Sequence, residues 1–136
     1  FVILFHFDQV LIIVKMSSKL DEVEDVDIDS TEGKYKYILI KVWPKGNESD
    51  HKFIVRGYAW AGYHADIYDQ VEENLKKLGI ASDCVGGGRI QNKPSVKKIS
   101  VYGYSQGYGK ADHEVSVGLL KVKYPDFNIT WSDEGY

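Results

Sequence analysis

Residues 35–43, YKYILIKVW, constrain the fold more than any other stretch of the chain. Successive side chains of a strand point to opposite faces of a sheet. Lys36, Ile38, Ile40 and Val42 therefore share one face, and Tyr37, Leu39, Lys41 and Trp43 share the other. Both faces are largely apolar. Such a strand suits the middle of a sheet with helices on both sides. The rest of the chain supplies the partners. Residues 51–58 read as a second strand, with Ile54 and Arg56 on one face. Residues 65–78 read as a helix whose Ile67, Val71, Leu75 and Leu78 form one apolar stripe. Asp66 and Asp69 stand in its first turns, Lys76 and Lys77 in its last, and Gly79 where a terminating glycine belongs. Residues 82–90 suggest a short strand interrupted by Gly86, Gly87 and Gly88, and residues 97–104 a fourth strand. Residues 111–123 give a weaker helix containing Gly118, stopped by Pro125, and residues 127–131 alternate as a last strand. The order β-β-α-β-β-α-β predicts a single α/β domain of the α+β type, one mixed sheet with a helix packed on each face.

Composition narrows the classes of function. At 136 residues the chain suits one domain with a real core. A net charge of -3 argues against a nucleic-acid partner, which requires a basic surface, so any cationic site is a local cluster. One cysteine rules out an internal disulfide framework and points to a reducing, cytoplasmic setting. The opening FVILFHFDQVLIIVK is broken by His6 and Asp8, is too short to span a bilayer, and lacks the marks of a signal peptide. No membrane partner is expected. The only methionine is Met16. The natural protein is expected to begin there, with residues 1–15 a non-native leader (a truncated targeting segment being the alternative), residues 16–25 an acidic flexible arm, and residues 26–136 the functional domain, monomeric.

The chemistry concentrates in RGYAWAGYHADIYD, residues 56–69. His64 stands at the mouth of the predicted helix. A helix N-terminus attracts anions and disfavours an imidazolium by about 0.3–1 kcal/mol. A neutral histidine beside a bound phosphate is a nucleophile or a general base. Arg56 and Arg89 each end an apolar run and could share a site at the strand ends, and Lys36 begins the central strand on the face of Ile38. Surface arginines with solvated heads are the plain alternative. Gly86 to Arg89 can bring backbone N–H groups to an anion, although a turn is the commoner reason for three glycines. Cys84 and Arg89 are one residue too close for a cysteine-dependent phosphatase loop, so Cys84 reads as a small strand hydrophobe. In YGYSQGYG, residues 102–109, Ser105 offers a hydroxyl and Gly107 an unhindered N–H, unless the loop is an ordinary turn with its tyrosines packing outside. The histidines have no metal-ligand spacing, and neither metal nor cofactor is expected.

The segments VDIDS (26–30), KYILIKV (36–42), IVRGY with WA and YHADIYD (54–69), GGGRI (86–90), KKI with VYGYS and YG (97–109) and KYPD with TW and GY (123–136) together resemble the 14-kDa phosphohistidine phosphatase, or janus/ocnus, family. The likeness covers about residues 26–136. It implies metal-independent hydrolysis of the P–N bond of phosphohistidine in proteins. The histidine of the YHAD motif, His64, would be catalytic. Lys36, Arg56 and Arg89 would form the phosphate site, with Ser105 and the backbone of Gly107 as further contacts. Gly107 departs from the alanine of the best-known member, but a backbone donor survives the change. The carbonyl of Gly86 would accept from Nδ1–H and orient the ring, leaving Nε2 free. His64 would attack phosphorus directly or draw a proton from water, direct attack being the favoured route. The competing class is a non-catalytic, regulatory phosphate- or phosphoprotein-binding member of the same family.

Overall fold

The computed structural model describes residues 2–7, 10–15 and 18–135; Met16, the expected first residue, lies outside them. Strands β1 (Val2–Phe7) and β2 (Val10–Lys15) form an antiparallel ladder of their own. The other strands build one six-stranded sheet: β3 (Val26–Ile28), β4 (Gly33–Pro44), β5 (Lys52–Tyr58), β6 (Ile80–Lys93), β7 (Lys98–Tyr102) and β8 (Asn128–Trp131). Their order is β3-β5-β4-β6-β7-β8, with β3 parallel to β5, β8 parallel to β7, and antiparallel pairing between. The sheet is mixed, as its alternating patterns predict. Helices α1 (His64–Lys77) and α2 (His113–Lys123) complete the domain. Among the described residues no helix is long and apolar enough to cross a membrane.

β4 divides two apolar clusters. Ile38, Ile40 and Val42 pack with Ile54 of β5 and with Ile67, Val71 and Leu75 of α1. Tyr35, Tyr37 and Leu39 pack on the opposite face with Val55, Ile90, Ile99, Val101 and the α2 residues Val117 and Leu120. One helix therefore covers each face, and the period-two alternation of β4 is what sorts its residues between them. Asp112 caps α2 by accepting from the N–H groups of Glu114 and Val115, so that helix starts two residues later than its apolar pattern suggests.

Two elements differ from the sequence reading. The acidic stretch before β3 is anchored: a 3-10 turn, Lys19–Glu22, is capped by Ser18, and Leu20 and Val23 are buried in the α1-side cluster. Two apolar residues at a spacing of three give this stretch a buried face that its overall composition hides. β3 itself was not anticipated, being three residues long.

The second difference lies in β6. The glycines do not interrupt it; the strand runs unbroken for 14 residues through all three. Leu39 pairs with Gly86 but Ile40 with Cys84, so Val85 is extra and the strand bulges there. The glycines meet a demand for space. A Cβ on Gly88 would lie 2.4 Å from the Tyr102 carbonyl oxygen and 2.7 Å from His113 Cε1. Gly86 has φ +154°, and a Cβ there would lie 2.7 Å from the Ala111 nitrogen. Gly87 trades backbone hydrogen bonds with the incoming loop: its N–H donates to the Gly109 carbonyl, and Ala111 N–H donates to the Gly87 carbonyl. Gly88→Ala is expected to lower the unfolding free energy by about 1–3 kcal/mol or more, read from urea denaturation, because backbone stands in the way. Unchanged stability would contradict this packing.

Candidate active site

Helix α1 begins at His64, directly after a loop containing Ala61 and Gly62. Asp66 closes the first turn by accepting from Tyr63 N–H at 2.8 Å, which assigns its carboxylate to capping. The apolar stripe of Ile67, Val71 and Leu75 seats the helix on the sheet, and this docking turns the His64 ring onto β6. His64 is buried, and its Nε2 lies 2.9 Å from the Gly88 carbonyl oxygen. A Cβ on Gly87 would lie 2.8 Å from His64 Cδ2, so the bare backbone at Gly87 is what lets the ring approach.

The ring's partner is thus Gly88, not Gly86, and the bonded atom is Nε2, not Nδ1. Gly86 is engaged elsewhere: its Cα packs on Ala111, and its carbonyl faces Cys84 Sγ at 3.8 Å. A carbonyl can only accept, so Nε2 carries the hydrogen and Nδ1 is the basic nitrogen of the neutral ring. Burial lowers the pKa of His64 most. The Gly88 hydrogen bond opposes that shift, and the positive charges of Lys36 and Arg89 reinforce it.

Those two cations are direct cross-strand partners: Lys36 of β4 stands opposite Arg89 of β6, on the same face as Ile38 and Gly87. Like charges directly opposite in a sheet are destabilising on their own. Lys36 makes no ion pair among the described residues. Lys36, His64, Ser105 and Gly107 line one cavity of about 680 Å³, together with Tyr63 and Tyr108. Ser105 is buried. Its hydroxyl oxygen accepts from Tyr108 N–H at 3.1 Å, which leaves the hydroxyl proton to donate to an anion. The loop is closed by reciprocal bonds between the backbones of Ser105 and Gly109.

Arg56 is not brought into this cavity. It is buried, and its guanidinium donates to the carbonyls of Val55 and Glu24 at 2.9 and 2.7 Å. It lines a separate cavity of about 410 Å³ with Asp27, Tyr58 and the α1 residues Gln70 and Asn74. Its visible work is to tie the segment before β3 to β5. Cys84 is half-buried, and burial pushes its thiol up to about 12, in keeping with a small hydrophobe rather than a nucleophile. Among the described residues no group of three or more histidine, cysteine or acidic side chains could hold a metal ion. Tyr108, whose outward packing belonged only to the plain-turn alternative, is a wall of the cavity. On the far face of β6, Gly88 is backed by His113, whose Nε2 lies 2.8 Å from the Gly103 carbonyl oxygen and whose Nδ1 lies 2.6 Å from the Tyr37 hydroxyl. Nothing in the spacing of the histidines marked that arrangement.

This geometry gathers a neutral imidazole, the Lys36 cation, a hydroxyl donor and an exposed glycine backbone around one opening. Arg89 does not line that cavity; it stands behind it on β6 as the cross-strand partner of Lys36. Residues 20–128 match the Janus/Ocnus family. The chain belongs to that family. It is similar to the 14 kDa phosphohistidine phosphatase of Sus scrofa, 51% identical over 124 residues that make up 88% of this chain and 98% of that relative. The 14 kDa phosphohistidine phosphatase of Homo sapiens is 50% identical over 118 residues, 84% of this chain and 94% of its own. The sex-regulated protein janus-A of Drosophila orena is 51% identical over 107 residues, 79% of this chain and 78% of its own. Within the family fold, the ring state of His64 is open to direct measurement. Nitrogen-15 NMR is expected to show a neutral ring carrying its hydrogen on Nε2, titrating below the ordinary 6.5. Lys36→Met is expected to raise that midpoint by removing a neighbouring positive charge. A midpoint above 6.5, or a hydrogen on Nδ1, would contradict the geometry.

Proposed function

We propose that this chain is a protein phosphohistidine phosphatase, a hydrolase that cleaves the P–N bond of phosphohistidine in proteins. The single observation that carries the reading is the burial of an uncharged His64 beside the facing pair Lys36 and Arg89, in one cavity with Ser105. A phosphoryl group fits the positive charge and hydrogen-bond donors that Lys36, Ser105 and the Gly107 backbone present to the cavity. Arg89 offers a planar fork to two phosphoryl oxygens, Lys36 a compact charge, and Ser105 and the Gly107 backbone directional donors. Positioning and charge stabilisation are most of what phosphoryl transfer needs.

In the favoured route Nδ1 of His64 attacks phosphorus. A bond forms from that nitrogen to phosphorus and the bond from phosphorus to the substrate nitrogen breaks; the substrate ring, already protonated by solvent on its other nitrogen, keeps that proton and takes the bonding pair to leave as neutral imidazole. Water then takes the phosphoryl group from His64 and releases inorganic phosphate. In the other route His64 draws the proton from a water that attacks directly. Both routes require the free base, which the surroundings of His64 favour at neutral pH. The positive charge comes from side chains, so the reaction is proposed to need no metal. The same reading takes the protein as a cytoplasmic monomer whose partners are its phosphohistidine-bearing substrates. It assigns Arg56 to the architecture around the site rather than to direct contact with phosphate.

Phosphate release from a phosphohistidine peptide is the test. Turnover by the wild type is expected to persist with excess chelator, and His64→Ala to bring it to background. Arg89→Ala is expected to cost about 10²–10³ in rate, the usual scale for a lost donor at a developing charge. Near-normal turnover by His64→Ala would overturn the assignment. Phosphate binding without any turnover would make the chain a regulatory phosphoprotein binder instead.

A further inference from the structure

The cavity at His64 holds more than the phosphate chemistry uses. Its volume of about 680 Å³ exceeds the needs of a phosphoryl group, and two of its walls are aromatic. Tyr63 stands at the entrance to α1 and is 74% exposed. Tyr108 stands across the chain in the loop that carries Ser105. Two aromatic side chains therefore border the pocket from separate elements, the α1 entrance and the 105–109 loop.

Tyr108 is held in place from two directions. Its backbone N–H donates to Ser105 Oγ, so the main chain that carries the ring is tethered to the same hydroxyl that lines the cavity. Its ring meets that of Tyr68 edge to face, with centroids 5.8 Å apart and planes at 80°. The Tyr68 hydroxyl in turn lies 3.0 Å from Ser82 Oγ on β6. A ring braced in this way loses little freedom when a ligand arrives, so contact with it adds to binding without an ordering cost.

Resting on the reading of the site as a phosphohistidine phosphatase, we propose that Tyr108 is a specificity-determining residue. Its ring receives the imidazole of the phosphohistidine side chain, and Tyr63 closes over the substrate at the rim. The substrate imidazole is bonded directly to phosphorus. With the phosphoryl group between Lys36, Arg89 and His64, the ring must lie within one bond of it, where the walls contributed by the 105–109 loop and the α1 entrance stand. Aromatic pairs prefer offset-stacked or edge-to-face contacts, and an imidazole fits either against a tyrosine. A P–N compound with an aliphatic side chain gains none of this, so the pocket favours phosphohistidine among phosphoramidates.

The test compares KM for a phosphohistidine peptide with the inhibition constant of inorganic phosphate, which carries no ring, in wild type, Tyr108→Phe and Tyr108→Leu. Tyr108→Leu is expected to raise KM roughly threefold to tenfold, the scale of one aromatic pair, with a smaller change in kcat and the phosphate constant held within about twofold. Tyr108→Phe is expected to keep KM near the wild-type value. The inference is overturned if Tyr108→Leu leaves KM unchanged, or if KM and the phosphate constant rise together, which would mean that Tyr108 only shapes the phosphate loop. It is also overturned if Tyr108→Phe is as impaired as Tyr108→Leu. These failures leave wild-type turnover intact. A wild type that releases no phosphate from the peptide would refute the parent reading as well.

Discussion

The seating of the His64 ring against the bare backbone of β6 is the contact on which the rest of the site depends. It requires a strand with no side chain at Gly87, a carbonyl at Gly88 aimed at the ring, and a helix docked so that its first residue faces the sheet. Each requirement has a separate cause. The glycines admit the ring on one face and His113 with Tyr102 on the other. The stripe of Ile67, Val71 and Leu75 sets the helix. The acceptor at Gly88 fixes which nitrogen carries hydrogen. Loss of any one would leave a buried histidine with the wrong tautomer or the wrong neighbours.

Charge placement separates the two buried-face arginines. Arg89 stands across from Lys36 on the same face of the sheet as His64's cavity, and Lys36 lines that cavity. Arg56 lies on the same face of the sheet but one strand further, and its guanidinium is spent on the carbonyls of Val55 and Glu24. An arginine satisfied by buried carbonyls stitches backbone together, whereas Lys36 faces the cavity beside His64. This division gives the domain a rigid wall beside a charged mouth.

Much of this was legible in the chain. Period-two alternation placed β4 at the centre and sorted its residues between two helices, because both of its faces had to be buried. The stripe in α1 and the position of His64 at its start were equally readable, since helix spacing and capping are local properties. Lys36, His64, Ser105 and Gly107 do meet in one cavity. The glycine run was harder. Three consecutive glycines look like a break, and only the tertiary neighbours Tyr102, Ala111 and His113 reveal that they keep a strand intact. The ring's acceptor was misplaced by two residues for a related reason, since residues 86 and 88 share a face of β6 and spacing cannot rank them. Arg56 ended an apolar run just as Arg89 does, and nothing local distinguished an inward clasp from an anion ligand. Leu20 and Val23 were hidden by the acids around them.

Titration of the His64 ring by NMR, with and without saturating inorganic phosphate, tests most directly whether anion and histidine share one site. A phosphate held beside the ring stabilises the imidazolium, so the midpoint should rise on binding, with backbone amide shifts clustered at residues 105–108. A His64 titration unmoved by phosphate, with the shifts gathered around Arg56 and the middle of α1, would contradict the account.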